Sequence, residues 1–228
     1  IGGNNYNPCA ADFVPPPPEE VKRLLRDLCT FSARDDLPPL VQAAIAHAQF
    51  ETIHPFDDGN GRTGRALVQV ILRGRRLAST FTPPMSVIFA RNKRRYIDGL
   101  TLFRQDDIAA WLEIFATAAV QASKLAHRYV SAVTRLQDEW RVQLAEHSSP
   151  RSDSAAWTLI DTLPAHPIIT VAVGAAATSR TKPAINNAIA ELAGAGVLSA
   201  VSESKRNRSW EASGLLDLIV AVETGRNP

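Results

Sequence analysis

The sequence predicts a mainly α-helical protein, and three observations support this fold class. Apolar residues recur at helical spacing along most of the first 147 residues. The polar segment EHSSPRSDS, residues 146–154, then marks a boundary. After it, three helical segments precede two strand-like segments, which is the order of a winged helix-turn-helix. We therefore predict a helical domain at residues 1–147 and a small winged helix-turn-helix domain at 148–228.

The composition is that of a globular protein. The chain has 228 residues, 45% of them hydrophobic, which is enough for one core and a second, smaller one. A net charge of +2 provides no global attraction to nucleic acid. Two cysteines, Cys9 and Cys29, are too few for a disulfide framework; they indicate reduced thiols of an intracellular protein or have no particular role, and we expect a cytoplasmic protein.

The sequence given shows no membrane span and no export signal. No apolar run reaches the length of a membrane span, and no signal peptide is visible. The opening residues IGGNNYNPCAADF look like the middle of a longer chain.

In the first domain, residues 1–18 are rich in Gly, Asn and Pro and predict a non-helical N-terminal arm that ends in a polyproline run. Helical patterns follow, of which the last is long enough that a kink or a split is left open. The predicted helices begin at Glu19, Leu40, Arg62, Arg91 and Ile108.

In the second domain, the pattern predicts three helices and a hairpin with a polar turn. The helices are AAWTLIDTL (155–163), TVAVGAAA (170–177) and SRTKPAINNAIAELAGAG (179–196); the hairpin strands are VLSAV (197–201) and SWEAS (209–213).

The stretch HPFDDGNGRTGR, residues 54–65, carries most of the chemistry in the sequence. It combines a histidine that can accept a proton with two carboxylates, three glycines and two arginines. Glycines let the backbone curl and expose N–H groups, and arginines bind phosphate through two parallel hydrogen bonds. A helix starting just after Gly61 also aims its free N–H groups back into the loop. The stretch predicts a site for a phosphorylated ligand with a base beside it.

Three other kinds of site are excluded by context. The glycines match G-x-G-x-x-G, but a dinucleotide site needs a preceding strand and an acid about 20 residues on, and neither is present. No Lys follows the last glycine, as a Walker loop requires. His47 and His54 are seven residues apart, and no H-E-x-x-H or cysteine cluster indicates zinc.

Residues 54–65 resemble the Fic motif, HxFx(D/E)GNGRxxR, at every defined position. The helix on each side of the loop, the preceding arm and the following winged helix are also similar to bacterial Fic proteins. The resemblance implies a Fic-type helical bundle with a short flap hairpin. It also implies protein AMPylation, in which AMP passes from ATP to a hydroxyl of a protein, the chain itself included, and pyrophosphate is released.

The resemblance assigns roles to the motif residues. It makes His54 the general base and Asp58 the Mg²⁺ ligand, with ATP as co-substrate. Phe56 is expected to point into the core and anchor the loop. Tyr96 resembles a tyrosine near the nucleotide site, although a core aromatic is an equally good interpretation. The residues expected to bind the nucleotide are Gly59, Asn60, Gly61, Arg62, Gly64, Arg65 and Tyr96.

The resemblance also raises expectations about partners. The flap that aligns the target peptide in the family is expected near Ala10–Pro15. Many Fic proteins carry an inhibitory helix with [S/T]xxxE[G/N]; no such string occurs here, so an inhibitory segment would have to lie elsewhere, in cis or in trans. A protein substrate and a homodimer are consistent with the family, and no membrane partner is expected.

Two alternatives remain open. The first is a DNA-binding transcriptional regulator, with Arg180 and Lys182 on the recognition helix and Lys205, Arg206 and Arg208 in the wing. Against it, the domain from 151 onward holds seven Lys and Arg and seven Asp and Glu, so it is neutral. The second is a Fic-fold enzyme that uses another nucleotide or phosphate donor, or that removes AMP.

Overall fold

The structure is a computed structural model that describes residue 11 and residues 13–79, 81–201, 208–224 and 226. Several predicted features fall outside these residues. They are Cys9, most of the N-terminal arm with Ala10 and Asp12 of the expected flap, and the hairpin turn with Lys205 and Arg206.

The described part of the chain contains ten α-helices and three short strands, so the mainly helical prediction is confirmed. None of these helices has an apolar stretch long enough to cross a bilayer. The helices are α1 (Pro18–Ser32), α2 (Pro39–Ile53), α3 (Asn60–Gly74), α4 (Met85–Arg91), α5 (Lys93–Arg104), α6 (Ile108–His147), α7 (Ala155–Thr162), α8 (Val171–Thr178), α9 (Lys182–Gly194) and α10 (Leu215–Thr224). The strands are β1 (Ile168–Ile169), β2 (Leu198–Ala200) and β3 (Trp210–Ala212).

The first compact unit, Ile1–Lys124, is built around α2. This helix contacts α1, α3 and α5, and its alanines are almost completely buried. Small side chains let the neighbouring helices approach closely, and the Trp111 indole donates a hydrogen bond of 2.9 Å to the carbonyl of Ala44. The central helix therefore holds the loop that follows it in a fixed place.

A buried polar network fixes the connection between α1 and α2. The Arg75 guanidinium donates to Gln42 Oε1 at 2.6 Å and to the Asp35 carbonyl at 2.8 Å. Gln42 is fully buried, and its amide donates in turn to the Arg34 carbonyl at 2.7 Å. Because these carbonyls are paired by side chains, the connection needs no regular structure to satisfy its backbone.

The second compact unit, Leu125–Pro228, contains α7 to α10 and an antiparallel sheet of order β1-β3-β2. Side chains of Ser154, Thr170 and Thr181 cap α7, α8 and α9 by accepting hydrogen bonds from backbone N–H groups. The three predicted helices and the two hairpin strands are present in the expected order, while β1 and α10 are not predicted by the sequence pattern. The core of the second unit includes Trp140, Leu144, Leu159, Ile160, Ile169, Ile185, Leu192, Trp210 and Leu215.

The two compact units divide at 124/125, whereas the sequence predicts a boundary at 147/148. The difference arises because the second half of α6 packs into the core of the second unit through Val133, Trp140 and Leu144. The helix itself runs without a break from Ile108 to His147, so the kink or split that the sequence left open does not occur.

Candidate functional site

Residues 54–59 form a tight loop between α2 and α3, bounded by two left-handed residues. His54 has φ 49° and ends α2, with its N–H bonded to the Phe50 carbonyl at 2.9 Å. Gly59 has φ 87° and precedes α3, which begins at Asn60, slightly earlier than expected. The left-handed conformation costs a residue with a Cβ about 1–2 kcal/mol. The predicted base therefore occupies a strained backbone position, as functional residues often do.

The Asn60 side chain bridges this loop through two hydrogen bonds to the backbone of Phe56. Its side chain is buried, Oδ1 accepts from the Phe56 N–H at 3.0 Å, and Nδ2 donates to the Phe56 carbonyl at 2.5 Å. The side chain is thus used within the loop, and a contact of Asn60 with the nucleotide stays a prediction. Its backbone N–H remains available.

Phe56 is not the core residue that the sequence predicts. Its side chain is 49% exposed, with its ring tilted against that of Phe50 at 6.2 Å. The prediction was wrong because the hydrogen bonds to Asn60 hold the Phe56 backbone at the surface. The Phe56 ring packs on the buried Phe50 ring from the solvent side.

The N-terminus of α3 presents free donors. The N–H groups of Asn60, Gly61 and Arg62 make no hydrogen bond within the described part of the chain, and the first turn of α3 carries no acid. A 15-residue helix with open N–H groups is a ready site for phosphate. This arrangement agrees with the expected anion site.

Asp58 and Arg62, the expected metal ligand and phosphate ligand, form an ion pair of 2.8 Å across one helical turn. Both side chains are exposed, at 91% and 75%. No group of three or more His, Cys, Asp or Glu side chains that could hold a metal occurs in the described ranges. A single hard carboxylate suits Mg²⁺, which usually takes few protein ligands and completes its shell with phosphate oxygens and water.

The other two glycines of the motif serve different purposes. A Cβ on Gly61 would lie 2.9 Å from Arg65 Nη1, so this glycine lets the Arg65 side chain lie along the first turn of α3. Gly64 is buried, and a Cβ there would lie 2.6 Å from Glu51 Oε1. Gly64 therefore serves the close packing of α3 on α2, and its contact with the nucleotide stays a prediction.

His54 is half-buried, and its electrostatic surroundings favour the neutral imidazole. Burial lowers the pKa of His54, the backbone of Glu51 offsets part of this effect, and the positive charge of Arg104 acts in the same direction as burial. A neutral imidazole near pH 7 can accept a proton. The state of His54 thus agrees with its expected role as a base.

Tyr96 lies in an aromatic cluster next to α2. Its hydroxyl is 2.9 Å from Nε2 of the fully buried His47, and its ring lies 4.7 Å from Phe89 and 6.2 Å from Trp111. Burial lowers the pKa of His47 to about 4 and raises the pKa of Tyr96. These contacts agree with the core interpretation of Tyr96, and its contact with a nucleotide stays a prediction.

Two charged residues beside the loop are not predicted by the sequence pattern. Glu51 is buried, its Oε1 has no hydrogen-bond partner in the described residues, and burial raises its pKa, while Arg65 and Arg104 oppose that shift. Arg104 ends α5 and stacks on Phe13. The available signal for Glu51 was its spacing on α2, because His47, Glu51 and His54 lie four and three residues apart and so share one face.

The described residues that were expected to bind DNA differ in their surroundings. Arg180 donates to the Asp153 carbonyl at 3.3 Å, Lys182 is exposed at the start of α9, and the Arg208 guanidinium lies 4.9 Å from the centroid of the Trp210 ring. DNA binding stays a prediction.

Comparison with known proteins locates the family signal in the first unit. Residues 3–72 match the model of the Fic/DOC family. Over 91 residues the chain is 40% identical to a probable protein adenylyltransferase of Aquifex aeolicus, a match that covers 40% of this chain and 26% of that protein. Over 109 residues it is 32% identical to the protein adenylyltransferase Fic of Nematostella vectensis, covering 46% and 24%. The chain therefore spans about a quarter of the length of these curated relatives.

Among solved structures, a Fic family protein from Desulfovibrio desulfuricans G20 aligns with a TM-score of 0.48 at 23% identity, covering 90% of this chain and 59% of that one. The segment that matches the family model contains the 54–65 loop. Residues 3–72, which include the 54–65 loop, are therefore similar to the Fic/DOC family.

Proposed function

We propose that this chain is a protein adenylyltransferase that transfers AMP from ATP to a hydroxyl side chain of a protein. The observation that carries the proposal is the position of His54, a neutral base held at the end of α2 directly before the open N-terminus of α3. Curated relatives that are 30–40% identical to part of this chain are named as protein adenylyltransferases, one of them as probable.

In the reaction, His54 accepts the proton of the target hydroxyl as its oxygen attacks the α-phosphorus of ATP. A new phosphoester bond forms, the bond between the α-phosphorus and the bridging oxygen breaks, and pyrophosphate leaves. The phosphate charge is met by the free N–H groups of α3 and by Arg62 and Arg65. The N–H groups of α3 are already in place and need little reorganisation, whereas Arg62 must first leave Asp58.

The residues present also fit a magnesium ion that arrives with the nucleotide. Asp58 would hold it through an exposed carboxylate, for which Arg62 is the competing partner. Bound there, Mg²⁺ would supply charge neutralisation for the phosphates.

The proposal is tested by intact mass spectrometry of the purified chain after incubation with ATP and Mg²⁺. A mass gain equal to one AMP in the wild-type chain, absent in His54→Asn, is the expected result. Asn tolerates the left-handed backbone of position 54, so this variant removes the base with little effect on folding. Parallel incubations with GTP, CTP and UTP identify the donor, and a gain equal to one phosphate would contradict AMP transfer.

When no self-modification occurs, ATP binding in the presence of Mg²⁺ decides the question. Calorimetric titration of the wild-type chain should show saturable binding that Arg65→Ala weakens. A chain that neither binds ATP nor gains mass is not an adenylyltransferase.

A further inference from the structure

The first compact unit contains an apolar cavity of about 400 Å³ that no residue of the 54–65 loop lines. Its walls come from the start of α2, the end of α3, the connection from 75 to 84, the start of α4 and the middle of α6. Leu72, Ala78 and Met85 line it and are buried, so they form an apolar floor. The volume lies within the range of about 300–1,000 Å³ that small-molecule sites occupy.

Three large apolar side chains around this cavity are left in contact with solvent. Leu77, Phe81 and Val120 all line it, and they are 56%, 46% and 53% exposed. A single exposed apolar side chain is ordinary, but several around one concavity mark a surface that a ligand or partner covers. The proposed AMP transfer gives these three side chains no role.

Hydrogen bonds hold the rim of the cavity in place. The N–H groups of Leu77 and Ala78 both donate to the Leu72 carbonyl, at 2.9 and 3.2 Å. Further along the same connection, the Gln69 amide donates to the Pro83 carbonyl at 3.3 Å. Because the connection is bonded to α3 at both places, the cavity is largely pre-formed, which lowers the cost of binding.

The polar groups at the cavity favour an anion. Lys124 is the only charged residue among the described residues that line it, and it follows Ser123 and Val120 along α6. Its ammonium is exposed and forms no ion pair in the part of the chain that the structure describes. Leu40, which also lines the cavity, lies in the first turn of α2, where no acid offsets the positive end of the helix dipole.

The size of the cavity distinguishes a small ligand from a protein partner. An apolar cavity of about 150 Å³ is enough for benzene in another protein, so this one takes a chain of roughly ten carbon atoms or more. A stable protein interface needs about 800 Å² from each partner, which three exposed side chains around one cavity cannot supply. An apolar chain with a charged end fits both the floor and Lys124.

We propose that this cavity is a binding site for a single-chain amphiphilic anion, whose hydrocarbon chain covers Leu72 and Met85 and whose anionic head group pairs with Lys124. A free medium-chain carboxylate has this chemistry. The inference does not depend on AMP transfer, because the ligand is bound without any chemical step and without the 54–65 loop.

The first test is a calorimetric titration of the chain, without ATP, with the even-numbered carboxylates from hexanoate to tetradecanoate below their micelle concentrations. Saturable binding of one molecule is expected, with an affinity that rises by about fourfold for each added methylene while the chain is being buried. The rise should stop between decanoate and tetradecanoate, where the cavity is full. An affinity that keeps rising through tetradecanoate indicates adsorption to the surface and overturns the proposal, as does the absence of decanoate binding.

The head group is tested with Lys124→Gln. Decanoate affinity should fall by about fivefold, between the small effect of an exposed ion pair and that of a charge-assisted hydrogen bond. The affinity for the neutral decanol should be lower than that for decanoate in the wild-type chain and should not change in Lys124→Gln. Lys22→Gln, on the exposed side of α1, serves as the matched control. Equal binding of decanol and decanoate, or an equal loss in Lys22→Gln, rejects the assigned head-group contact.

The place of binding is tested with two further variants. Ala119→Phe puts a ring into the cavity and should lower decanoate affinity by more than tenfold. Leu77→Ser changes a side chain that is 56% exposed, so it should fold normally and still weaken binding severalfold. Unchanged affinity in a folded Leu77→Ser overturns the assignment to this cavity. Self-association of the wild-type chain that Leu77→Ser abolishes, without any decanoate binding, would make a second copy the occupant.

Discussion

Asp58 and Arg62 neutralise each other, with their charged groups 2.8 Å apart on the surface of the loop and the first turn of α3. In the proposed reaction these same groups bind magnesium and phosphate. Binding of the metal–nucleotide complex must therefore separate them, and each group exchanges its partner for one of opposite charge on the ligand. An exposed pair of this kind is easily broken, since its contribution to stability is small.

Asp58→Asn should abolish most AMP transfer without affecting the fold. The amide cannot replace a carboxylate as a magnesium ligand, and Arg62 loses its resting partner. We expect the rate to fall by about 10²-fold or more, the loss typical of one group that stabilises phosphate charge, and the magnesium requirement to rise. Rates measured over a magnesium titration check this, with the neighbouring exposed Asp57→Asn as control. An Asp57 variant that is equally impaired would contradict the assignment.

The pH dependence of transfer should report the lowered pKa of His54. Burial disfavours the imidazolium, and the charge of Arg104 acts in the same direction. The base therefore stays neutral to a lower pH than a free imidazole, and the acid limb of kcat/KM should lie below the ordinary value of about 6.5. Arg104→Met removes one lowering charge, so its acid limb should move to higher pH. A limb at or above the ordinary value in the wild-type chain would contradict this prediction.

Much of the fold could be predicted from the sequence because it depends on local signals. Helical periodicity and the prolines at 18 and 39 located α1 and α2, and a polar turn between two short apolar runs located β2 and β3. The strand β1 has only two residues and gains its identity from pairing with β3, which no local pattern reveals. The compact units divide within α6, an uninterrupted helix whose second half packs into the core of the second unit, and no local sequence pattern reveals such a division.

The motif of the site was predictable, whereas its supporting residues were not. Residue type and the resemblance to the Fic motif select His54 and Asp58 as candidates without any structure. The internal hydrogen bonds of Asn60 and the packing role of Gly64 depend on which way a side chain or Cβ points, which only the fold determines. Arg104 is distant in sequence, at the end of α5, and the effect of its charge on the pKa of His54 is visible only in the structure.

The buried His47 should make the protein less stable as the pH falls. Burial lowers its pKa to about 4 from 6.5, and Arg65 adds to the effect. Between these values the unfolded chain binds a proton that the folded chain does not, so the free energy of unfolding falls with falling pH. The shift corresponds to about 3 kcal/mol, reduced by Glu51, whose raised pKa acts in the opposite direction.

Urea unfolding of the wild-type chain and of His47→Gln at several pH values between about 4.5 and 7 measures this effect. The wild-type chain should lose more stability over that range than the variant, which has no titrating group at position 47. Parallel pH profiles of the two proteins would show that another group dominates.

The two glycines of α3 that differ most in surroundings provide a matched test of the packing behind the loop. A Cβ at Gly64 would lie 2.6 Å from Glu51 Oε1 and 3.1 Å from both His47 Nδ1 and Phe50 Cδ1, whereas a Cβ at Gly74 meets no atom within 4 Å. Gly64→Ala should therefore destabilise the protein by about 1–3 kcal/mol, because two helices must move apart. Gly74→Ala should stabilise it by up to about 1 kcal/mol, since alanine favours the helix.

Thermal unfolding of the two variants measures the difference, and AMP transfer measured well below both melting temperatures extends it to the site. Gly64 directly precedes Arg65 in α3 and packs against Glu51 of α2. A shift of α3 at this contact would therefore displace the phosphate donors of α3 relative to His54. We therefore expect Gly64→Ala to lose activity even where it is fully folded, while Gly74→Ala keeps it. A folded and fully active Gly64→Ala would show that α3 can move relative to α2 without cost to the site, and would remove the structural reason for a glycine at this position.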